Sequence, residues 1–180
     1  MEIQKFNLEE LAEFLVKAKK ATYAGDGKEV PSQRPGFKEL EYNEGDFSYR
    51  DSYAGFFMAP GQEYVRFKGE PIWLMSYTGG MNQELFGDVD FAKQTFAFLK
   101  KALSLVNMSS PFRGPAVFRS EKFEYSSSVK GDISSFKGRE RIWHDSEAGE
   151  KSNGINLYDL DYIFEQDYIG GLVIPKTFIK

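Results

Sequence analysis

Two glutamates occupy matching points of a repeated pattern, Gly61-Gln62-Glu63-Tyr64-Val65 and Gly138-Arg139-Glu140-Arg141-Ile142. Each alternates with apolar residues (Val65 and Phe67 in the first case, Ile142 in the second), so in a strand each carboxylate shares the face that seeks a core. An ionised carboxylate in that position is costly unless it is paired or hydrogen-bonded. Either it forms a structural salt bridge with an Arg or Lys or reaches water at a strand end, or it lines a pocket where acids meet Tyr49, Tyr77, Tyr125 and Trp73. Aromatic faces around a buried acid suit a cationic or amine-bearing ligand.

Tyr49, Asp51 and Tyr53 fall on one face of an earlier strand. An acid flanked by two phenols forms either a hydrogen-bonded core network or the polar part of a pocket. The expected ligand-binding set is therefore Glu63, Glu140, Tyr49, Asp51, Trp73, Tyr77 and Tyr125. The pocket reading predicts that Glu63→Gln changes stability by no more than about 1 kcal/mol, an ordinary substitution. The salt-bridge reading predicts a loss of about 3–5 kcal/mol. Thr22, Tyr23 and Arg34 border a long connection, where they either lid a pocket or pin the loop.

Other chemistries find little support. With no cysteine, disulfides, thiolate nucleophiles and Cys-based metal sites are excluded. The single histidine, His144, reads as an exposed hairpin residue, because imidazole metal ligands usually come in twos or threes. There is no Gly-rich phosphate loop and no Gly-x-Ser-x-Gly elbow. No cofactor and no metal are expected. A net charge of −4 argues against direct nucleic-acid binding, which draws on clustered Lys and Arg. The densest basic run, Lys17 to Lys20, reads as a helix C-terminus complementing the macrodipole. The N-terminus lacks a signal-peptide core and no apolar run reaches membrane-span length, so a cytoplasmic protein is expected.

The elements that must position these residues are legible. Asn7 and Glu10 signal a capping box opening a helix with Leu8, Leu11, Leu15 and Ala18 as its apolar stripe. Residues 22–46 read as an irregular connection broken by Gly25, Gly27, Pro31, Pro35 and Gly36. Strands follow at 46–58, 62–68 and 71–78. A second helix opens near Asp88 and runs to about Val106, before strands near 116–130, 132–143, 154–164 and 168–174, with a polar tip at 145–154.

Much of this pattern occurs twice. Phe14-Leu15 with Ala18 returns as Phe98-Leu99 with Ala102, Phe47-Ser48-Tyr49 as Phe123-Glu124-Tyr125, and Tyr77-Thr78-Gly79-Gly80 as Tyr168-Ile169-Gly170-Gly171. The expectation is an α+β fold built from a duplicated helix–strand–strand–strand unit, with two helices on one face of a mainly antiparallel sheet. Residues 1–180 then form one domain of two repeats, about 1–86 and 87–180. Aligning Gly61 with Gly138 also sets Trp73, Met75 and Tyr77 against Tyr158, Leu160 and Tyr162.

The runs Lys20-Ala21-Thr22-Tyr23-Ala24, Arg34-Pro35-Gly36, Tyr49-Arg50-Asp51-Ser52-Tyr53-Ala54-Gly55, Ile72-Trp73-Leu74-Met75-Ser76-Tyr77, Phe112-Arg113-Gly114-Pro115 and Tyr168-Ile169-Gly170-Gly171 resemble the family called domain of unknown function 5680. Members similar to this domain occur alone or attached to helix-turn-helix regulators, and the resemblance implies a sensor role. It brings no settled activity. At the level of fold, the expected architecture is similar to gyrase-inhibitor-like effector-binding domains. The expected function is non-catalytic small-molecule binding. The alternatives are a small hydrolase or isomerase using a strand glutamate as acid/base, and a protein-interaction module. The expected partners are a small-molecule ligand and a second copy or a regulator, without nucleic acid or membrane.

Overall fold

The computed structural model describes residues 6–25, 27–145, 149–174 and 176. Helix α1 (Leu8–Ala21) precedes strands β1 (Lys38–Glu44), β2 (Phe47–Tyr53), β3 (Gly61–Phe67) and β4 (Glu70–Met81). Helix α2 (Val89–Leu103) precedes β5 (Val117–Ser120), β6 (Phe123–Asp132) and β7 (Ser135–His144). A two-residue hairpin, β8 (Lys151–Ser152) and β9 (Ile155–Asn156), leads into the closing strand β10 (Phe164–Leu172). The fold is α+β, with eight strands in one sheet ordered β1-β2-β3-β4-β10-β7-β6-β5 and every neighbouring pair antiparallel.

Local chemistry explains the helices. Asn7 closes a capping box with Glu10 over α1, and the Asp88 side chain accepts the Phe91 amide at the start of α2 (2.9 Å). Both helices lie on one face of the sheet. Leu11, Phe14, Leu15 and Ala18 of α1 pack against Tyr49, Val65, Trp73 and Met75. Phe91, Ala92, Phe98 and Ala102 of α2 pack against Tyr125, Ile142 and Phe164. Directly opposed residues in antiparallel strands point the same way, and the rows Tyr49–Val65–Trp73 and Tyr125–Ile142–Phe164–Met81 meet through the odd-numbered face of β4. The other face of the sheet is open, carrying Thr78, Asp167 and Ile169.

The central pair, β4 and β10, sets Tyr77 opposite Tyr168. Each tyrosine lies across a glycine of the next strand out, Gly61 on β3 and Gly138 on β7. A Cβ added at Gly61 would meet the Tyr77 hydroxyl at 2.3 Å, and one at Gly138 would meet the Tyr168 ring at 2.3 Å. These glycines are required by close approach.

Four details depart from the sequence reading. Residues 22–46 are not irregular throughout, because Lys38–Glu44 form β1, and residues 116–130 hold two antiparallel strands, β5 and β6, in place of one, so each helix is followed by four sheet strands where the expected repeat unit had three. Residues 154–164 do not form a long strand: Leu157–Asp159 make a 3-10 turn, and Tyr158 is 69% exposed. Trp73, Met75 and Tyr77 therefore correspond in register to Phe164, Gln166 and Tyr168, and the match to Tyr158, Leu160 and Tyr162 fails. The polar tip expected at 145–154 lies partly outside the described residues; its described part includes the β8–β9 hairpin.

Candidate functional site

The inner face of the sheet carries a layer of charge between its two apolar clusters. Glu63 sits mid-strand on β3 and is fully buried. Lys19 follows Leu15 by one helical turn, so it projects from the buried face of α1. Its ammonium pairs with Glu63 Oε2, neither side chain having any exposure. The nitrogen lies 5.5 Å from the Tyr23 ring centre and 5.7 Å from that of Trp73. Burial pulls the Lys19 pKa below the ordinary lysine value, against the pull of Glu63.

Arg113, in the connection between α2 and β5, reaches the same layer. Its Nη2 donates to Glu140 Oε1 (2.7 Å) and to Gln166 Oε1 (3.0 Å), its Nε donates to Glu140 Oε1 (3.1 Å), and Nη1 stands 3.6 Å from Glu63 Oε1. Burial opposes the guanidinium charge, but Glu140, Tyr23 and Glu63 together prevail and hold it well above its usual value. Tyr125 donates its hydroxyl to Glu140 Oε2 (2.7 Å) and accepts the Gly114 amide (3.1 Å).

Asp51 is the third carboxylate. It lies directly across from Glu63 in the β2–β3 pair and is 3% exposed. Its Oδ1 accepts the Tyr77 hydroxyl at 2.7 Å. Burial and then the neighbouring Glu63 charge push its pKa up to about 7, outweighing the Tyr77 hydrogen bond and the fields of Arg113 and Lys19. The layer thus contains two cations, Lys19 and Arg113, and three carboxylates. Among the described residues, the hydroxyls of Tyr23 and Tyr49 and Oε1 of Glu63 are buried without a hydrogen-bond partner.

A cavity of about 340 Å³ opens over this layer between α2 and the sheet. Asp51, Tyr77, Arg113 and Gln166 form its polar end, while Phe56, Phe96, Leu99 and Leu103 supply apolar wall. Tyr23, Tyr53, Phe164, Lys38 and Lys100 also line it. A larger hollow of about 600 Å³ lies on the open face of the sheet, where Asp167 is tied to Arg139 at 2.5 Å. It exposes no buried acid, so the smaller cavity is the candidate site.

Of the residues picked from sequence, Asp51 and Tyr77 line the cavity. Glu63, Glu140, Tyr49, Tyr125 and Trp73 have zero exposure and lie beneath or beside it. Both glutamates are salt-bridged, and Trp73 donates its indole N–H to the Ile133 carbonyl at 3.1 Å. Thr22 pins the end of α1 through a hydrogen bond to the Ala18 carbonyl (2.7 Å), and Arg34 stacks over Phe37 (4.5 Å). His144 is half-buried, not exposed, with its ring edge-on to Phe123.

Sequence reasoning missed Lys19, Arg113 and Gln166. Lys19 was absorbed into a basic run read as complementing the helix macrodipole; its helical spacing from Leu11 and Leu15 was the available signal. Arg113 entered only as part of the run Phe112-Arg113-Gly114-Pro115, and the signal for Gln166 was its two-residue alternation with Phe164 and Tyr168; that the two meet is decided by long-range packing. Among the described residues, no group of three or more His, Cys, Asp or Glu side chains is placed to hold a metal. No described helix is long and apolar enough to cross a membrane.

The profile of a family described as a domain of unknown function (DUF5680) matches residues 51–173. The chain belongs to that family. The match includes Asp51, Glu63, Tyr77, Arg113, Glu140 and Gln166, and begins after Lys19 and Tyr23. Comparison with curated proteins and with solved structures finds no match, so the likeness to effector-binding domains carries no argument.

Proposed function

We propose that this protein is a non-catalytic binding or sensor domain that takes a small organic cation into the cavity between α2 and the sheet. The carrying observation is the uncompensated carboxylate. Glu63 and Glu140 have Lys19 and Arg113, whereas Asp51 has a tyrosine hydroxyl and faces the cavity. A buried acid needs a counter-charge or a proton. A ligand ammonium supplies the first, and the rings of Tyr23, Tyr53, Phe56 and Phe96 suit its organic part. Native proteins leave few buried polar atoms unsatisfied, and those that remain call for an explanation; here the buried hydroxyl of Tyr23 is on the cavity wall.

Duplication of a helix-and-strands unit belongs to the same proposal. The palindromic strand order and the matched pairs Gly61–Tyr77 and Gly138–Tyr168 support it. In this view one copy keeps a closed charge pair and the other holds the ligand carboxylate.

Thermal denaturation tests the reading. Phenethylammonium should raise the melting temperature, since a ligand selective for the native state stabilises it by about 2.7 kcal/mol at a hundred times its Kd. Phenethyl alcohol and phenylacetate should have little effect, and Asp51→Asn should remove the response. Stabilisation by the carboxylate alone, or by none of the three, defeats the proposal. An acid/base enzyme is the second reading, because a carboxyl titrating near 7 beside a phenol suits proton transfer. Turnover of a stabilising ligand would separate it from a sensor.

A further inference from the structure

Asp51 cannot be described by its own strand alone. Lys19 and Tyr23 approach from α1 and the turn after it, Glu63 from β3, Tyr77 from β4, Gln166 from β10 and Arg113 from the loop before β5. Glu140 on β7 lies behind Arg113, Tyr49 and Tyr53 flank Asp51 on β2, and Lys38 and Lys100 line the outer cavity. The two buried cations, Lys19 and Arg113, are committed to Glu63 and Glu140. Lys38 sits at the surface, 3.2 Å from Glu29. The Asp51–Tyr77 hydrogen bond disperses negative charge without cancelling it.

Resting on the cation-binding reading, we propose that the site works by exchange: the free protein holds a proton on Asp51, and the ligand's cation displaces that proton into solvent. The step balances as Asp51–COOH plus R–NH3+ giving the Asp51 carboxylate–ammonium pair plus H+. Tyr77 donates to Oδ1 in both states, and the Oδ2–H bond is the one that breaks. Charge neutrality of the buried layer is preserved throughout, with two cations facing two carboxylates before binding and three facing three afterwards. The elevated pKa of Asp51, about 7, places the exchange where modest pH changes alter occupancy. The protein would then respond jointly to amine concentration and pH, binding best on the alkaline side of the Asp51 midpoint while the amine is still charged.

Carbon-detected NMR titration of the aspartate carboxyls measures the free-state proton directly. The Asp51 signal, assigned by its loss in Asp51→Asn, should have a midpoint near 7. Saturating phenethylammonium should lower that midpoint by at least about two units, equivalent to a hundredfold preference of the cation for the ionised form. Calorimetry at pH 6 in buffers of different ionisation heat should report roughly one proton released per ligand. The apparent affinity should weaken about tenfold per pH unit below the midpoint. Tyr77→Phe keeps the ring but removes a hydrogen bond to the carboxylate, so the midpoint should move upward; this variant keeps the test available if Asp51→Asn folds poorly. An Asp51 midpoint in the ordinary carboxylate range, or phenethylammonium binding with no proton release, overturns the exchange while leaving cation binding intact. A midpoint near 7 with no binding of phenethylammonium overturns the binding reading itself.

Discussion

The two sides of the buried charged layer use similar parts and reach different ends. On the second side, Glu140 is answered by Arg113 and Tyr125, and its cross-strand neighbour is Ser127, whose hydroxyl meets Tyr168 at 3.0 Å. On the first side, Glu63 is answered by Lys19, and its cross-strand neighbour is Asp51, held by Tyr77. A serine in one place and an aspartate in the other is the decisive difference. The Tyr125 hydroxyl is doubly hydrogen-bonded, whereas the hydroxyl of Tyr49 at the corresponding register position has no partner among the described residues. A satisfied network rigidifies a core, and a partly satisfied one carries a cost. Among the described residues, the second side is therefore closed on its own groups, whereas the first leaves Asp51 with a phenol in place of a dedicated cation.

The largest effects should come from breaking the pairs common to both sides. Glu63→Gln strands the Lys19 ammonium, and Arg113→Met strands Glu140; each should lose about 3–5 kcal/mol in chemical denaturation at pH 7. For Glu63 this replaces the near-neutral effect expected of a simple pocket acid. A loss below about 1 kcal/mol at either position would mean that the pair contributes no more than an ordinary surface contact.

Next comes the pH dependence of Asp51. Its pKa is raised from 3.8 to about 7 on folding, so between those values the folded state binds more protons than the unfolded one. Stability contributed by the neutral form is fully present below the unfolded value and is lost as pH rises through about 7. The loss is at most about 4 kcal/mol, from roughly three pKa units at 1.36 kcal/mol each. Asp51→Asn should flatten this slope, making the variant more stable than the parent at pH 8 but not at pH 4. Parallel urea melts over that range check it, and equal slopes would place Asp51 in an ordinary environment.

Smaller effects sharpen the contrast. Tyr125→Phe removes a hydroxyl bonded to Glu140 and to the Gly114 amide, leaving both short of a partner, and should cost about 1–3 kcal/mol. Tyr49→Phe removes a hydroxyl with no partner, so its effect should stay within about 0.5 kcal/mol of zero. If the two variants lose stability equally, the proposed asymmetry between the sides is absent.

How much of this was legible can be judged from particular residues. Asn7 with Glu10, and Asp88, signalled the helix starts, because caps act within a few residues. The alternation of Glu63 with Val65 and Phe67 placed an acid on the inner face of β3. β1 escaped notice because Lys38–Glu44 is dense in charge, as suits a sheet edge that discourages pairing with other chains. Tyr158, Leu160 and Tyr162 imitated a strand because a short two-residue alternation does not exclude a capped turn. The Asn156 side chain accepts the Tyr158 amide there, at 3.3 Å.

The sequence by itself determined the α+β class, the antiparallel bias, the two amphipathic helices and the presence of acids among aromatics. All of these follow from periodicities and caps spanning a few residues. Tertiary structure alone decided which acid keeps a cation. Lys19 meets Glu63 across 44 residues of chain, and Arg113 meets Gln166 across 53. No local pattern encodes such pairs, because they exist only once the helices have settled on the sheet and excluded water from the layer between them. The same packing left Asp51 as the carboxylate facing a cavity, a distinction between Glu63, Glu140 and Asp51 that depends on burial and partner geometry rather than on residue type.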